Sequence, residues 1–220
     1  NGGRDAAARG AAVHSLLEWC QANGWREPPP DLARLHASAA GLDAEAAPEL
    51  LPPLRAWLGS ELLASRVAPA ARTRAEVPFL LELDSALLRG SIDLLVETDG
   101  RPPLVLDYKT DRLDGASPAD RANRYGVQRD LYALAVAEAS GATEVEVAYV
   151  FLERAEEPVV QLLGEAEIAA GRQRLRESIA RIAHGEFAAA PMERRDAALC
   201  DGCPALLRLC AGPENRTASI

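Results

Sequence analysis

The sequence predicts an α/β fold: a mixed central β-sheet of four to five strands flanked by helices, with a helical N-terminal extension. Three observations predict it. Between residues 5 and 65, apolar side chains recur at helical spacing and prolines punctuate the pattern, so the chain opens with helices. From Arg74 to Thr110 the period is two, in runs rich in Leu, Ile and Val. Beyond that, helical and strand patterns alternate to Gly185, as in a sheet covered by helices.

Residues 5–23 read as an Ala-rich helix, with Val13, Leu16, Leu17 and Cys20 on one stripe and Asn23-Gly24 as its stop. His14 and Glu18, four apart, share a face of it. Glu27 to Pro30 is a Pro-rich linker. Asp31 reads as the N-cap of a short helix to about Ala40, and another helix starts near Asp43. Pro52-Pro53 break that pattern, and a third helical stretch runs from Leu54 to about Ser65. Glu76 to Leu83 is the first strand, Asp84-Ser85 a turn, and Ala86 to Glu97 the hairpin partner. Thr98, Asp99, Gly100 and Pro102-Pro103 make the break before the third strand, Leu104 to Lys109. Arg112 to Ala122, polar with Gly and Pro, reads as a loop over the site. A helix follows from about Asn123 to Ser140 with Gly141 as C-cap. Glu144 to Glu153 is a fourth strand, Val159 to Leu163 a fifth, and Glu165 to His184 an amphipathic helix closed by Gly185. The whole chain, 1–220, reads as one domain: a helical lead-in over 1–73, a core over 74–190 and a cysteine-bearing tail over 191–220.

Composition narrows the function. No apolar run reaches the roughly 18–20 residues that span a membrane. No signal-like start is present, so the chain reads as cytoplasmic, and its cysteines are not expected to form disulfides. A first residue of Asn rather than Met favours a piece of a longer protein. The net charge of −9 counts against a protein that coats nucleic acid, which is ordinarily basic. It counts less against an enzyme whose metal ions meet the phosphates. No Gly-x4-Gly-Lys-Ser/Thr loop is present, so the chain holds no P-loop motor.

The organising stretch is Gly90 to Thr110. Side chains alternate along a strand, so Asp107 and Lys109 share one face, and Leu106 and Tyr108 the other. Ionisable groups facing an apolar sheet are costly unless they pair or bind a metal. Asp93, on the neighbouring strand, can reach the same point. Two carboxylates and one lysine there suit a hard divalent cation with a water beside it.

The ordered set Gly90-x-x-Asp93, Asp107-Tyr108-Lys109-Thr110 and Gln128-x-x-x-Tyr132, with His14 in an early helix, resembles the PD-(D/E)XK nucleases of the RecB/AddA type. Arg9-Gly10 ahead of His14 and Glu76-Val77-Pro78-Phe79 on the first strand belong to the same likeness. The resemblance implies a restriction-endonuclease-like core and Mg²⁺ or Mn²⁺ held by His14, Asp93, Asp107 and the backbone carbonyl of Tyr108. Imidazole favours Mn²⁺. It further implies a catalytic Lys109, and Gln128 and Tyr132 near the scissile phosphate. Glu76 supports the metal ligands from behind or is a plain exposed charge. The implied activity is that of a metal-dependent deoxyribonuclease, an exonuclease before an endonuclease. The implied setting is the nuclease end of a helicase–nuclease in double-strand-break repair, whose motor domain or partner subunit feeds it single-stranded DNA.

Cys200-x2-Cys203-Pro204-x5-Cys210 is dense, and Cys20 is the remaining cysteine. Iron–sulfur nucleases of this superfamily carry one cysteine before the core and three after it, which implies a 4Fe–4S cluster on Cys20, Cys200, Cys203 and Cys210. In those relatives the first cysteine precedes the histidine, whereas Cys20 follows His14. Zinc or free thiols are the alternatives, and Cys20 in an apolar stripe is also a natural buried thiol. Trp19, Trp25 and Trp57 read as core or interface anchors. Two other functions stand beside the nuclease: an inactive DNA-binding or scaffold module, and a free-standing exonuclease of the CRISPR adaptation type.

Overall fold

The computed structural model describes residues 2–186. Its sheet has five strands in the spatial order of the sequence: β1 (Arg72–Leu83), β2 (Ala86–Glu97), β3 (Leu104–Lys109), β4 (Val145–Phe151) and β5 (Val159–Leu163). β1–β2, β2–β3 and β4–β5 pair antiparallel, while β3–β4 pair parallel, so the sheet is mixed. A parallel pair needs a crossover. Here α4 (Pro118–Ala122) and α5 (Gly126–Ser140) supply it, and Gly141, at φ +71°, ends α5 in the left-handed conformation.

Helices cover both faces. α1 (Gly2–Ala22), α2 (Pro30–Ala39) and α3 (Ala47–Leu58) pack on the face formed by Leu94, Val96, Leu104, Leu106, Tyr108 and Val150. α5 and α6 (Glu165–Ala183) pack on the other, over Leu95, Val105, Val147, Tyr149 and Phe151. The alternation of β3 is therefore used on both sides, with Tyr108 toward α1 and α3 and Asp107 toward α5. Asp130 of α5, itself buried, takes Arg174 of α6 at 2.7 Å and Arg129 at 2.8 Å. That carboxylate fixes α5 against α6. Among the described residues no helix is long and apolar enough to cross a membrane.

Four elements depart from expectation. Pro30, not Asp31, starts α2: proline at the first helical position brings the right φ and lacks only an N–H that had no partner. Asp31 sits in the first turn and pairs with Arg34. α3 runs straight through Pro52 and Pro53 and ends at Leu58. Its inward face buries Leu50, Leu51, Leu54 and Trp57, each worth roughly 1.5–3 kcal/mol, which offsets the backbone bonds two prolines forgo. β1 begins at Arg72, before Glu76. The expected loop over 112–122 contains α4, whose N-cap Ser117 Oγ accepts the Asp120 N–H at 3.1 Å ahead of Pro118.

Two glycines set how closely elements approach the site. A Cβ on Gly10 of α1 would lie 3.2 Å from Thr110 Oγ1 just past β3, and His14 is one turn further on. Gly90 lies under the Phe79 ring, where a Cβ would come within 2.6 Å of it. Phe79 stands edge-to-face against Tyr132 at 5.9 Å, so a side chain at 90 would push on α5 as well. Gly90→Ala is expected to lower the unfolding free energy by about 1–3 kcal/mol in a denaturant titration. An unchanged midpoint would mean that Phe79 swings away freely.

Candidate active site

The site lies where β2 and β3 part. Their pairing runs Val96↔Leu104, Leu95↔Val105 and Leu94↔Leu106 and stops there. The next amide on that side, Tyr108 N–H, would lack a partner. Asp93 Oδ2 accepts it at 2.8 Å, so the carboxylate stands in for the missing strand and is held in the gap. On the other side of β2, Ala75↔Leu94 and Val77↔Ile92 pair while Glu76 between them turns to φ +47°. A glutamate in that region costs about 1–3 kcal/mol, and strain of this kind clusters at functional sites. Ser91 Oγ donates to Glu76 Oε2 at 3.0 Å and fixes the carboxylate.

α1 brings His14 over this gap. Its Nε2 is 3.1 Å from Tyr108 O, and its Nδ1 is 3.6 Å from Asp93 Oδ2 and 3.9 Å from Glu76 Oε1. One ligand atom from each of His14, Glu76 and Asp93 fits within 4.8 Å of the others. Of the residues expected to hold a metal, His14, Asp93 and the Tyr108 carbonyl are thus together. Glu76, expected either behind the ligands or as a plain exposed charge, stands among them.

Asp107 faces the α5 side of the same point. Its Oδ1 accepts from Gln128 Nε2 at 2.8 Å and lies 3.2 Å from Tyr132 Oη. Its Oδ2 is 2.6 Å from Lys109 Nζ, an ion pair that lies off the hydrogen-bonding direction, so this buried oxygen has no hydrogen-bond donor among the described residues. Gln128 uses its whole amide: Nε2 donates to Asp107 and, at 2.8 Å, to Tyr132 Oη, while Oε1 accepts from Lys109 Nζ at 2.8 Å. The Tyr132 hydroxyl has one proton, shared between Asp107 Oδ1 and Ser91 O at 3.0 Å.

Glu76 and Asp93 meet His14, and Asp107, whose charge acts on Asp93, adds a third carboxylate nearby with Lys109 as its paired cation. That donor set, with an imidazole and a carbonyl, fits a divalent cation. The charges work against one another without it. Burial first, then the Asp107 charge, pushes the Asp93 carboxyl up to about 6. Burial also raises Asp107, against the pull of Lys109. An acid raised by folding contributes stability that is full below its unfolded value of 3.8 and is lost as pH rises through about 6. In EDTA the protein is therefore expected to lose on the order of 3 kcal/mol between about pH 4 and 7, with most of that slope absent in Asp93→Asn. Denaturant titrations at several pH values measure it, and equal slopes in the two proteins would contradict the assignment.

Cys20 is fully buried in the α1–α3 core, and burial pushes its thiol up to about 11. That is the state of a thiol packed with no metal beside it. Cys200, Cys203 and Cys210 lie outside the described residues. Trp57 is a core residue, and Trp19 and Trp25 pack against the same core.

Two features of the site escaped the sequence reading. Lys109 is the sole lysine among 220 residues, a compositional mark on the one ammonium group that faces Asp107. Tyr125, read only as part of a helix, lies with its ring against that ammonium.

The sequence matches the family model described as PD-(D/E)XK nuclease superfamily over residues 2–210. No curated protein sequence matches significantly. Among solved structures, one titled SSO0001 overlaps 78% of this chain and 72% of its own, at 18% identity and a TM-score of 0.38. Another, titled "Putative exonuclease" and coming from Eubacterium rectale, overlaps 80% and 77% at 14% identity and a TM-score of 0.42.

Proposed function

The chain belongs to the PD-(D/E)XK nuclease superfamily, and from that premise we propose that it is a divalent-metal-dependent deoxyribonuclease. The observation that supports this most is the pairing at one sheet gap of a cation-ready cluster, His14, Glu76 and Asp93, with the Asp107–Lys109–Gln128 network. Mg²⁺ or Mn²⁺ would be held by His14, Asp93, Asp107 and the Tyr108 carbonyl, with Glu76 as a further carboxylate. Bound there, the cation supplies neutralisation of phosphate charge and a lowered pKa for water.

The chain's own groups do the rest. Asp93 holds the gap open by occupying Tyr108 N–H. Lys109 aims an N–H at the reacting phosphate or the attacking water and stabilises the negative charge that develops. Gln128 keeps that ammonium in place from one side while fixing Asp107 from the other. Tyr132 backs both. In-line displacement would leave a 5′-phosphate.

Net charge −9 and the lack of a P-loop fit a domain to which other domains deliver DNA. We read it as one nuclease domain of a RecB/AddA-like helicase–nuclease acting on single-stranded DNA ends in double-strand-break repair. A 4Fe–4S cluster on Cys20, Cys200, Cys203 and Cys210 belongs to the same reading, and no chemistry here depends on it. The test is a pair of substrates, end-labelled linear single strands and closed single-stranded circles, in Mn²⁺. Loss of the linear strand with intact circles is expected. Cutting of the circles would overturn the exonuclease assignment and leave the nuclease.

A further inference from the structure

Lys109 Nζ lies 4.0 Å from the centre of the Tyr125 ring and 5.6 Å from that of Tyr149. We propose that Tyr125 is a positioning residue, holding the Lys109 ammonium on its ring face so that the amine points at the reacting phosphate. The proposal rests on the nuclease reading above.

The ring is built to stay where it is. Tyr125 ends the 3₁₀ turn Asn123–Tyr125, three residues before Gln128, so one short segment supplies both the ring and the amide that meet Lys109. Its hydroxyl donates to Asp111, two residues beyond Lys109. Its backbone carbonyl accepts the Tyr149 hydroxyl at 2.8 Å. Its ring leans on Tyr149 at 5.4 Å and Phe151 at 6.4 Å. These two rings stand on β4 at the register positions of Asp107 and Lys109, so the aromatic wall runs beside the catalytic strand.

A ring suits this task better than a second carboxylate. Its face attracts a cation but offers no lone pair to take up the ammonium's N–H groups. Gln128 accepts one of the three. Asp107 Oδ2 stands 2.6 Å from the same nitrogen as its ion-pair partner, and the ring, which takes no N–H, limits the travel of a flexible four-carbon stem. If Asp107 turns toward a metal, the ring still restrains Lys109.

The test uses the full chain with Tyr125→Leu and Tyr125→Phe. Because Lys109 is the sole lysine, ¹³C-lysine labelling gives one residue's signals without further assignment. The ε-methylene protons are expected upfield of free lysine, through the ring current, in the wild type and Tyr125→Phe, and moved most of the way to the free position in Tyr125→Leu, where only the more distant Tyr149 ring remains. For cleavage, Tyr125→Leu is expected to lose about tenfold in kcat with KM within about twofold, and Tyr125→Phe to recover most of the loss. Free-lysine shifts in the wild type would overturn the proposal. So would an unchanged kcat in Tyr125→Leu, or equal losses in both variants. The spectrum reads the contact whether or not the chain cleaves DNA, so an inactive wild type would count against the nuclease reading alone.

Discussion

Lys109→Ala is expected to slow DNA cleavage by about 10²–10³-fold, the usual cost of removing one preorganised charge-stabilising donor. The fold should survive, because the residue sits at the end of β3 and its side chain takes no part in the sheet's backbone pairing. Removing it strips the buried Asp107 of its ion-pair partner. That carboxyl is already raised by burial, so it can take up a proton instead of remaining an unpaired charge. Lys109→Arg should not rescue the rate, since a planar guanidinium cannot occupy the slot between Asp107, Gln128 Oε1 and the Tyr125 ring. Single-turnover cleavage with circular dichroism checks both halves. Cleavage at the wild-type rate would remove Lys109 from the chemistry.

The largest stability effect is expected at Trp57. It is 0% exposed, stands edge-to-face on Tyr108 at 5.3 Å and on Trp25 at 6.4 Å, and sits at the inner face of α3. Trp57→Ala opens a large cavity under β3 and should cost about 3–5 kcal/mol. For a chain of this size that corresponds to a melting temperature lower by roughly 6–20 °C. The effect should reach the site, because Tyr108 carries the carbonyl beside His14 and rests on Trp57. Weaker Mn²⁺ stabilisation in Trp57→Ala than in the wild type, read as the metal-induced shift in melting temperature, is the accompanying expectation. A loss below about 1 kcal/mol would show that α3 closes the gap.

The sheet and the strand that carries Asp107 and Lys109 were legible because their signals are local. Period two along Ala86–Glu97 and Leu104–Lys109 is carried by neighbouring residues, and so is the shared face of Asp107 and Lys109. Signals that depend on distant contacts were not. Pro52-Pro53 looks like a helix break until Trp57 and its neighbours are seen to bury their face in the core. Glutamate has no preference for positive φ, so nothing in the sequence marks Glu76 as turned toward His14. Gly10 and Gly90 stood out in the pattern, but their reasons, Thr110 and the Phe79 ring, are contacts across long stretches of chain. Tyr125 is separated from Lys109 by the whole α4 segment, and only the fold brings its ring to the ammonium. Ser117-Pro118 was a readable helix start, masked by the polar, glycine-bearing residues before it.

The measurement that bears most directly on the account is cleavage of labelled single-stranded DNA by the full chain in Mn²⁺, Mg²⁺ or EDTA, beside Asp107→Ala. Cutting in Mn²⁺ or Mg²⁺ that disappears in EDTA and in the variant is the predicted result. Cutting that persists in EDTA or in Asp107→Ala would contradict a metal-dependent site built on the β2–β3 gap.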